Sequence, residues 1–147
     1  MTTEDNKVRV GQKVVRPWGY YQLIIHESDY SVKMLFISPG EETSLQRHSK
    51  RHELLTLLDG TVEITFGDYK FTKDRSQRAS SYRALAGEWH KFAAPVAQVG
   101  YTVLLEVAYG VLDPDDFERK EDKYGRERKI GPGFVGNLMD NFDWRQQ

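Results

Sequence analysis

Residues 40 to 60 read GEETSLQRHSKRHELLTLLDG, and this stretch decides the fold and the chemistry together. Gln46, His48 and Glu53 lie between two glycines, and each can donate a lone pair to a metal. In an extended chain, alternate side chains share a face. Gln46 and His48 therefore point one way. Arg51, Glu53, Leu55 and Leu57 share a face by the same rule. A second cluster, ALAGEWH from Ala84 to His90, supplies a further histidine. The two clusters predict a metal pocket inside a small β-barrel.

The flanking sequence supports a barrel. Pro17 and Gly19 form a turn that feeds an aromatic strand up to Ile25. Tyr30 to Ile37 is β-branched and aromatic enough for a strand, ended by Ser38-Pro39-Gly40. Asp59-Gly60, between apolar runs, predicts a hairpin. Thr61 to Phe66 alternates, with Val62, Ile64 and Phe66 on one face. Gly67-Asp68 is another turn before Tyr69 to Thr72, and Lys73 to Ser81 reads as a loop. Tyr101 to Val107 reads as a buried strand with Glu106 inside it. Short strands between glycine turns, with almost no helical periodicity, point to an all-β sandwich or barrel.

The texture changes after Gly110. Asp113-Pro114-Asp115-Asp116 has the chemistry of a helix start, which predicts a short helix from Phe117 to Lys123 carrying Arg119. Gly131-Pro132-Gly133 breaks the chain. The segment beyond carries Phe134, Val135, Leu138, Met139, Phe142 and Trp144, too apolar for a free tail. The expected organisation is a loose segment over 1–13, one domain over 14–130, and a tail over 131–147. That tail is expected to pack on the barrel or on a second subunit, making a homodimer.

Composition narrows the function. The 147 residues suffice for one ordinary domain, and the formal net charge of −1 gives no drive toward nucleic acid or an anionic membrane. The absence of cysteine excludes thiolate zinc sites, disulfides and a cysteine nucleophile. No apolar run is long enough to span a bilayer, and Met1 to Lys7 lacks an apolar signal core. A cytoplasmic domain is expected.

The spacing Gly-(X)5-Gln-X-His-(X)4-Glu-(X)6-Gly resembles the first cupin motif, with glutamine where most cupins place a histidine. Leu85-Ala86-Gly87 with His90 resembles the second, although Leu85 and Ala94 replace its proline and asparagine. The glutamine variant resembles the ligand set of phosphomannose isomerases, and the similarity extends to the C-terminal cupin domain of the type II mannose-6-phosphate isomerases. Three further stretches carry it: Arg16-Pro17-Trp18-Gly19, Tyr30-Ser31-Val32-Lys33, and the run from Pro39 to His48. Leu105-Glu106-Val107 and the run from Asp115 to Arg126 extend it to most of the chain. Ser49 and Lys50 stand where the family continues its histidines, and Leu54-Leu55 where it has His-Trp. No glycine-rich nucleotide loop lies before Val14, which argues against guanylyl transfer by these residues.

The resemblance implies a cupin jelly-roll barrel holding a divalent metal on Gln46, His48, Glu53 and His90. Zinc is the expected ion, with manganese, iron or nickel as alternatives. It implies interconversion of mannose 6-phosphate and fructose 6-phosphate, with a small-molecule sugar phosphate as partner. Such a reaction needs a polarised carbonyl, a proton carrier and fixed cations for the phosphate. Arg119, Lys33 and Glu106 are the catalytic candidates, and Arg51, Lys50 and Trp89 the substrate-binding ones. His26 and His52 read as surface residues, and Trp18 and Trp144 as packing residues. Two other readings stay open: a cupin isomerase or epimerase acting on another sugar or nucleotide sugar, and a sugar-binding cupin without turnover.

Overall fold

The structure is a computed structural model that describes residues 9–74, 76 and 81–127. Among the described residues there are eleven strands: β1 (Lys13–Arg16), β2 (Gly19–His26), β3 (Tyr30–Ile37), β4 (Leu45–Arg47), β5 (Arg51–Asp59) and β6 (Val62–Phe66), then β7 (Tyr69–Lys73), β8 (Ser81–Ala84), β9 (His90–Ala93), β10 (Thr102–Gly110) and β11 (Glu118–Glu121). They form a six-stranded sheet, β1-β2-β3-β10-β5-β8, and a five-stranded sheet, β11-β4-β9-β6-β7. All pairings are antiparallel. The two sheets face each other, and their inner faces make the lumen.

Alternation explains which side chains line that lumen. On β3, Ser31, Lys33, Leu35 and Ile37 are buried while Val32, Met34 and Phe36 are half-buried on the outer side. On β5 the inward set is Arg51, Glu53, Leu55 and Leu57, as the sequence predicts. On β10 it is Thr102, Leu104, Glu106 and Ala108. The apolar inward residues meet in one cluster with Trp18, Tyr21, Val62, Ile64 and Phe92. Trp18 is fully buried there, a packing residue as expected. The glycine after it is demanded by geometry. Gly19 has φ +146°, and a Cβ at that position would lie 1.9 Å from the Phe36 carbonyl oxygen.

Two local expectations are corrected. Phe117 to Lys123 does not form a helix, and no α-helix occurs among the described residues. Residues 118–121 instead pair with β4, placing Glu118 opposite Arg47 and Arg119 opposite Gln46. Tertiary pairing outweighs the local cap chemistry here, because the strand buries Arg119 against the open edge of the sheet. Asp59-Gly60 is a turn but not a hairpin. β5 and β6 belong to different sheets, so the turn carries the chain from one to the other. Gly67-Asp68 does close a hairpin, joining Phe66 to Tyr69.

Lys13, expected in the loose segment, pairs with Gln22. Residues 1–8 and the tail over 131–147, with its predicted packing, lie outside the described residues.

Candidate metal centre

The charged inward residues gather at one end of the lumen. In the five-stranded sheet, Arg119, Gln46 and His90 occupy one rung across β11, β4 and β9. In the six-stranded sheet, Lys33, Glu106 and Leu55 occupy a rung across β3, β10 and β5. Glu53 sits two residues before Leu55 on the same inner face. Each of Lys33, Gln46, His48, Arg51, Glu53, His90, Glu106 and Arg119 is at most 5% exposed. Buried charge survives only when partnered or when it serves a ligand.

Three of the four predicted metal ligands converge measurably. One ligand atom from each of His48, Glu53 and His90 lies within 4.8 Å of the others. His48 Nε2 is 2.9 Å from Glu53 Oε1, and His90 Nε2 is 3.2 Å from Glu53 Oε2. Gln46 is buried on the inward face beside His90, with its Oε1 3.2 Å from Ser44 Oγ.

The tautomers follow from the second contact of each ring. His48 Nδ1 lies 2.7 Å from the Asp116 carbonyl, and His90 Nδ1 lies 3.1 Å from the Glu88 carbonyl. A carbonyl only accepts, so both Nδ1 atoms carry the proton. In a neutral ring Nε2 then presents a lone pair to the cluster. This is the arrangement of a metal-binding histidine held by its neighbours. Glu53 Oε2 and His90 Nε2 are both buried and make no hydrogen bond among the described residues. Facing acceptors with nothing between them are a slot for a cation, so the residues present fit a divalent metal. Two imidazoles, a carboxylate and an amide suit zinc, manganese, iron or nickel.

Electrostatics set the two imidazoles apart. Burial alone would raise the Glu53 carboxyl, but the Arg51 guanidinium and the two imidazoles outweigh it and hold it well below the usual carboxylate range. Burial, then Arg51, pushes His48 down to about 4, so the ring is neutral at physiological pH. Burial also opposes charge on His90, but the Glu53 carboxylate beside it wins and raises it. Burial and the nearby Glu53 raise Glu106. Burial lowers Lys33 to about 8, with Glu106 resisting and Arg51 assisting.

Arg51 belongs to this cluster. Its Nη2 donates to Glu53 Oε1 at 2.5 Å and to His48 Nε2 at 3.2 Å. Lys50 does not. It turns outward, and its Nζ pairs with Asp113 at 2.8 Å on the surface. Trp89 is also outside the buried group. Its half-buried ring lies 4.7 Å from the Arg47 guanidinium and 5.6 Å from Lys120 Nζ. The Ser49-Lys50 departure therefore leaves the ligand set intact. Leu54 faces outward, whereas Leu55 is in the apolar core.

Asp116 was not legible as a site residue. Its carboxylate accepts the backbone N–H groups of Ser49 and Lys50 and the Ser49 hydroxyl, while its carbonyl orients His48. The sequence places it among the acids of an expected helix start, whereas the structure uses it to cap the backbone donors of the β4–β5 loop.

The barrel and its His-Glu-His cluster define the cupin class, and comparison with known proteins narrows it. Residues 3–122 match the family described as mannose-6-phosphate isomerase C-terminal, and the chain belongs to that family. It is 33% identical over 114 residues to the alginate biosynthesis protein AlgA of Pseudomonas aeruginosa, covering 78% of this chain and 23% of that one. It is 38% identical over 116 residues to the xanthan biosynthesis protein XanB of Xanthomonas campestris, covering 78% and 24%. It is 37% identical over 120 residues to the mannose-1-phosphate guanylyltransferase of Escherichia coli, covering 80% and 24%. The chain thus spans about a quarter of the length of these relatives.

Among solved structures, the fold resembles the capsular polysaccharide assembling protein CapF from Staphylococcus aureus, with TM-score 0.65, 16% identity and coverage of 83% and 34%. It also resembles a double-stranded β-helix protein from Klebsiella pneumoniae, with TM-score 0.58, 16% identity and coverage of 83% and 92%. These likenesses speak for the fold alone.

Proposed function

We propose that this domain is a metal-dependent aldose–ketose isomerase that interconverts mannose 6-phosphate and fructose 6-phosphate. The observation that carries this reading is a proton-carrying pair, Glu106 and Lys33, in the same lumen as the ligand cluster. They face each other across β10 and β3. The relatives named for alginate and xanthan biosynthesis support a supply of sugar for polysaccharide.

His48, Glu53, His90 and Gln46 would hold the metal, which when bound would polarise the sugar carbonyl and hydroxyl oxygens. The chain's own residues do the rest. Isomerisation moves one proton between C1 and C2 and a second between their oxygens, and a buried carboxylate with a raised pKa suits the carbon-to-carbon transfer. Glu106 is the residue for it, since its Oε1 is buried and makes no hydrogen bond among the described residues. Protonated Lys33 beside it compensates the negative charge that develops in the enediol. Arg119, inward on the opposite sheet, positions the substrate through its fixed guanidinium plane. The apolar remainder of the lumen excludes water.

A coupled assay of mannose 6-phosphate conversion, with added zinc and again after chelation, tests this reading. Turnover that needs metal is expected. Folded, metal-loaded protein without turnover would defeat the isomerase assignment, and turnover surviving complete metal removal would defeat the metal's role.

A further inference from the structure

His48 has one lone pair to offer. Its Nδ1 proton is committed to the Asp116 carbonyl, and Nε2 accepts from Arg51 Nη2 at 3.2 Å. The same guanidinium nitrogen donates to Glu53 Oε1 at 2.5 Å, with Nε adding a second bond at 3.2 Å. Arg51 is thus a cation built into the chain and seated between two of the proposed ligands. A lone pair that accepts this hydrogen bond cannot also coordinate a metal. A guanidinium in place would also repel a dication coordinated by the same two side chains, in an interior that screens poorly.

Arg51 has somewhere to go. It forms one wall of a cavity of about 50 Å³, lined also by His26, Ser31, Leu112, Asp113 and Pro114. That volume holds several water molecules. Gly110, opposite Arg51 in the β10–β5 register, keeps the backbone close there. A Cβ at Gly110 would lie 3.1 Å from the Lys50 carbonyl oxygen. Asp113 on the far wall offers a carboxylate, now paired with Lys50 at the surface.

We propose that the Arg51 guanidinium and a divalent cation compete for His48 and Glu53, so that metal loading turns Arg51 toward the cavity beside Ser31 and Asp113, where it receives an oxyanion. The inference rests on the metal-centre reading above. It adds that the metal and the anion assist each other's binding, because each favours the same position of Arg51. The domain is then stable without metal, its carboxylate held by an internal counter-ion, and recruits the substrate's anionic group once loaded.

Calorimetric titration of zinc into chelator-treated wild type, Arg51→Gln and Arg51→Lys tests the competition. Zinc should bind Arg51→Gln about tenfold or more tightly than wild type, with Arg51→Lys between them. Titration of inorganic phosphate into wild type should give tighter binding with zinc present than without, a difference lost in Arg51→Gln. A readout on wild type does not depend on either variant folding. The Arg51 Nε–H resonance, protected by burial and its bond to Glu53, should shift and lose protection as zinc is added. Equal zinc affinity in folded wild type and Arg51→Gln, or an unchanged Nε–H resonance in zinc-loaded protein, would overturn the competition while leaving the metal centre standing. Zinc binding to none of the folded proteins would overturn the metal centre itself, and this inference with it.

Discussion

The two halves of the lumen use the same strands for opposite purposes. On β3, Lys33 gives way to Leu35 and Ile37 along one inward row; on β5, Arg51 and Glu53 give way to Leu55 and Leu57. Glu106 follows Leu104 on β10, and Phe92 follows His90 on β9. One half is an apolar plug packed around Trp18 and Tyr21. The other is a dense set of buried charges. The backbone register that seals the plug also sets the charged side chains in place, so the apolar half acts as the mould for the other. The first half supplies packing and the second the candidate site, and the two can be broken separately.

The largest effect is expected in the charged half. Glu106→Gln removes the proton carrier while keeping size and hydrogen-bonding capacity. It should lower kcat of the isomerase by about 10²–10⁴-fold, with the urea midpoint and the metal content little changed. A kcat within a few-fold of wild type would move the proton-transfer role elsewhere.

The apolar half should respond in the opposite sense. Leu104 is fully buried, and Leu104→Ala should cost about 3 kcal/mol in urea unfolding while the folded fraction retains its metal. If instead the variant kept its stability and lost metal, the division between plug and site would be wrong.

A third test sharpens the pairing of Lys33 with Glu106. The proposed mechanism requires Glu106 ionised and Lys33 protonated. The rate should therefore rise with pH through the raised Glu106 value and fall again around pH 8, where Lys33 loses its proton. Lys33→Arg, which cannot deprotonate in this range, should move the alkaline limb to higher pH. An unmoved alkaline limb would assign it to another group. The smallest effect is expected outside the lumen. Lys50→Ala removes an exposed pair with Asp113 and should leave the urea midpoint and kcat/KM near wild type.

The sequence was most legible where alternation is long. β3, β5, β6 and β10 each carry enough period-2 pattern to place their inward residues, and with them Lys33, Arg51, Glu53 and Glu106. The spacing Gln-X-His-(X)4-Glu picks out side chains that the structure gathers in one cluster, because β4 and β5 are joined by a short loop that preserves both inward faces. The short strands were harder. β9 and β11 have four residues each, too few for a pattern, and exist because a neighbour offers unpaired backbone groups. β11 in particular carries the charges of an exposed helix, and only its pairing with β4 shows that Arg119 points inward. Asp116 acts across 67 residues of chain on Ser49, a contact no local rule reveals. Lys50 and Trp89 adjoin residues of the buried cluster in sequence, yet alternation sends neighbours to opposite faces.

A metal held in the charged half is the central claim. The direct measurement is the metal content of the purified, folded chain by elemental analysis after equilibration with zinc and removal of excess, for wild type and for His90→Gln. One zinc per wild-type chain, with little or none retained by the folded variant, is the result predicted. Wild-type protein that retains no metal, or a His90→Gln variant that retains a full complement, would contradict it.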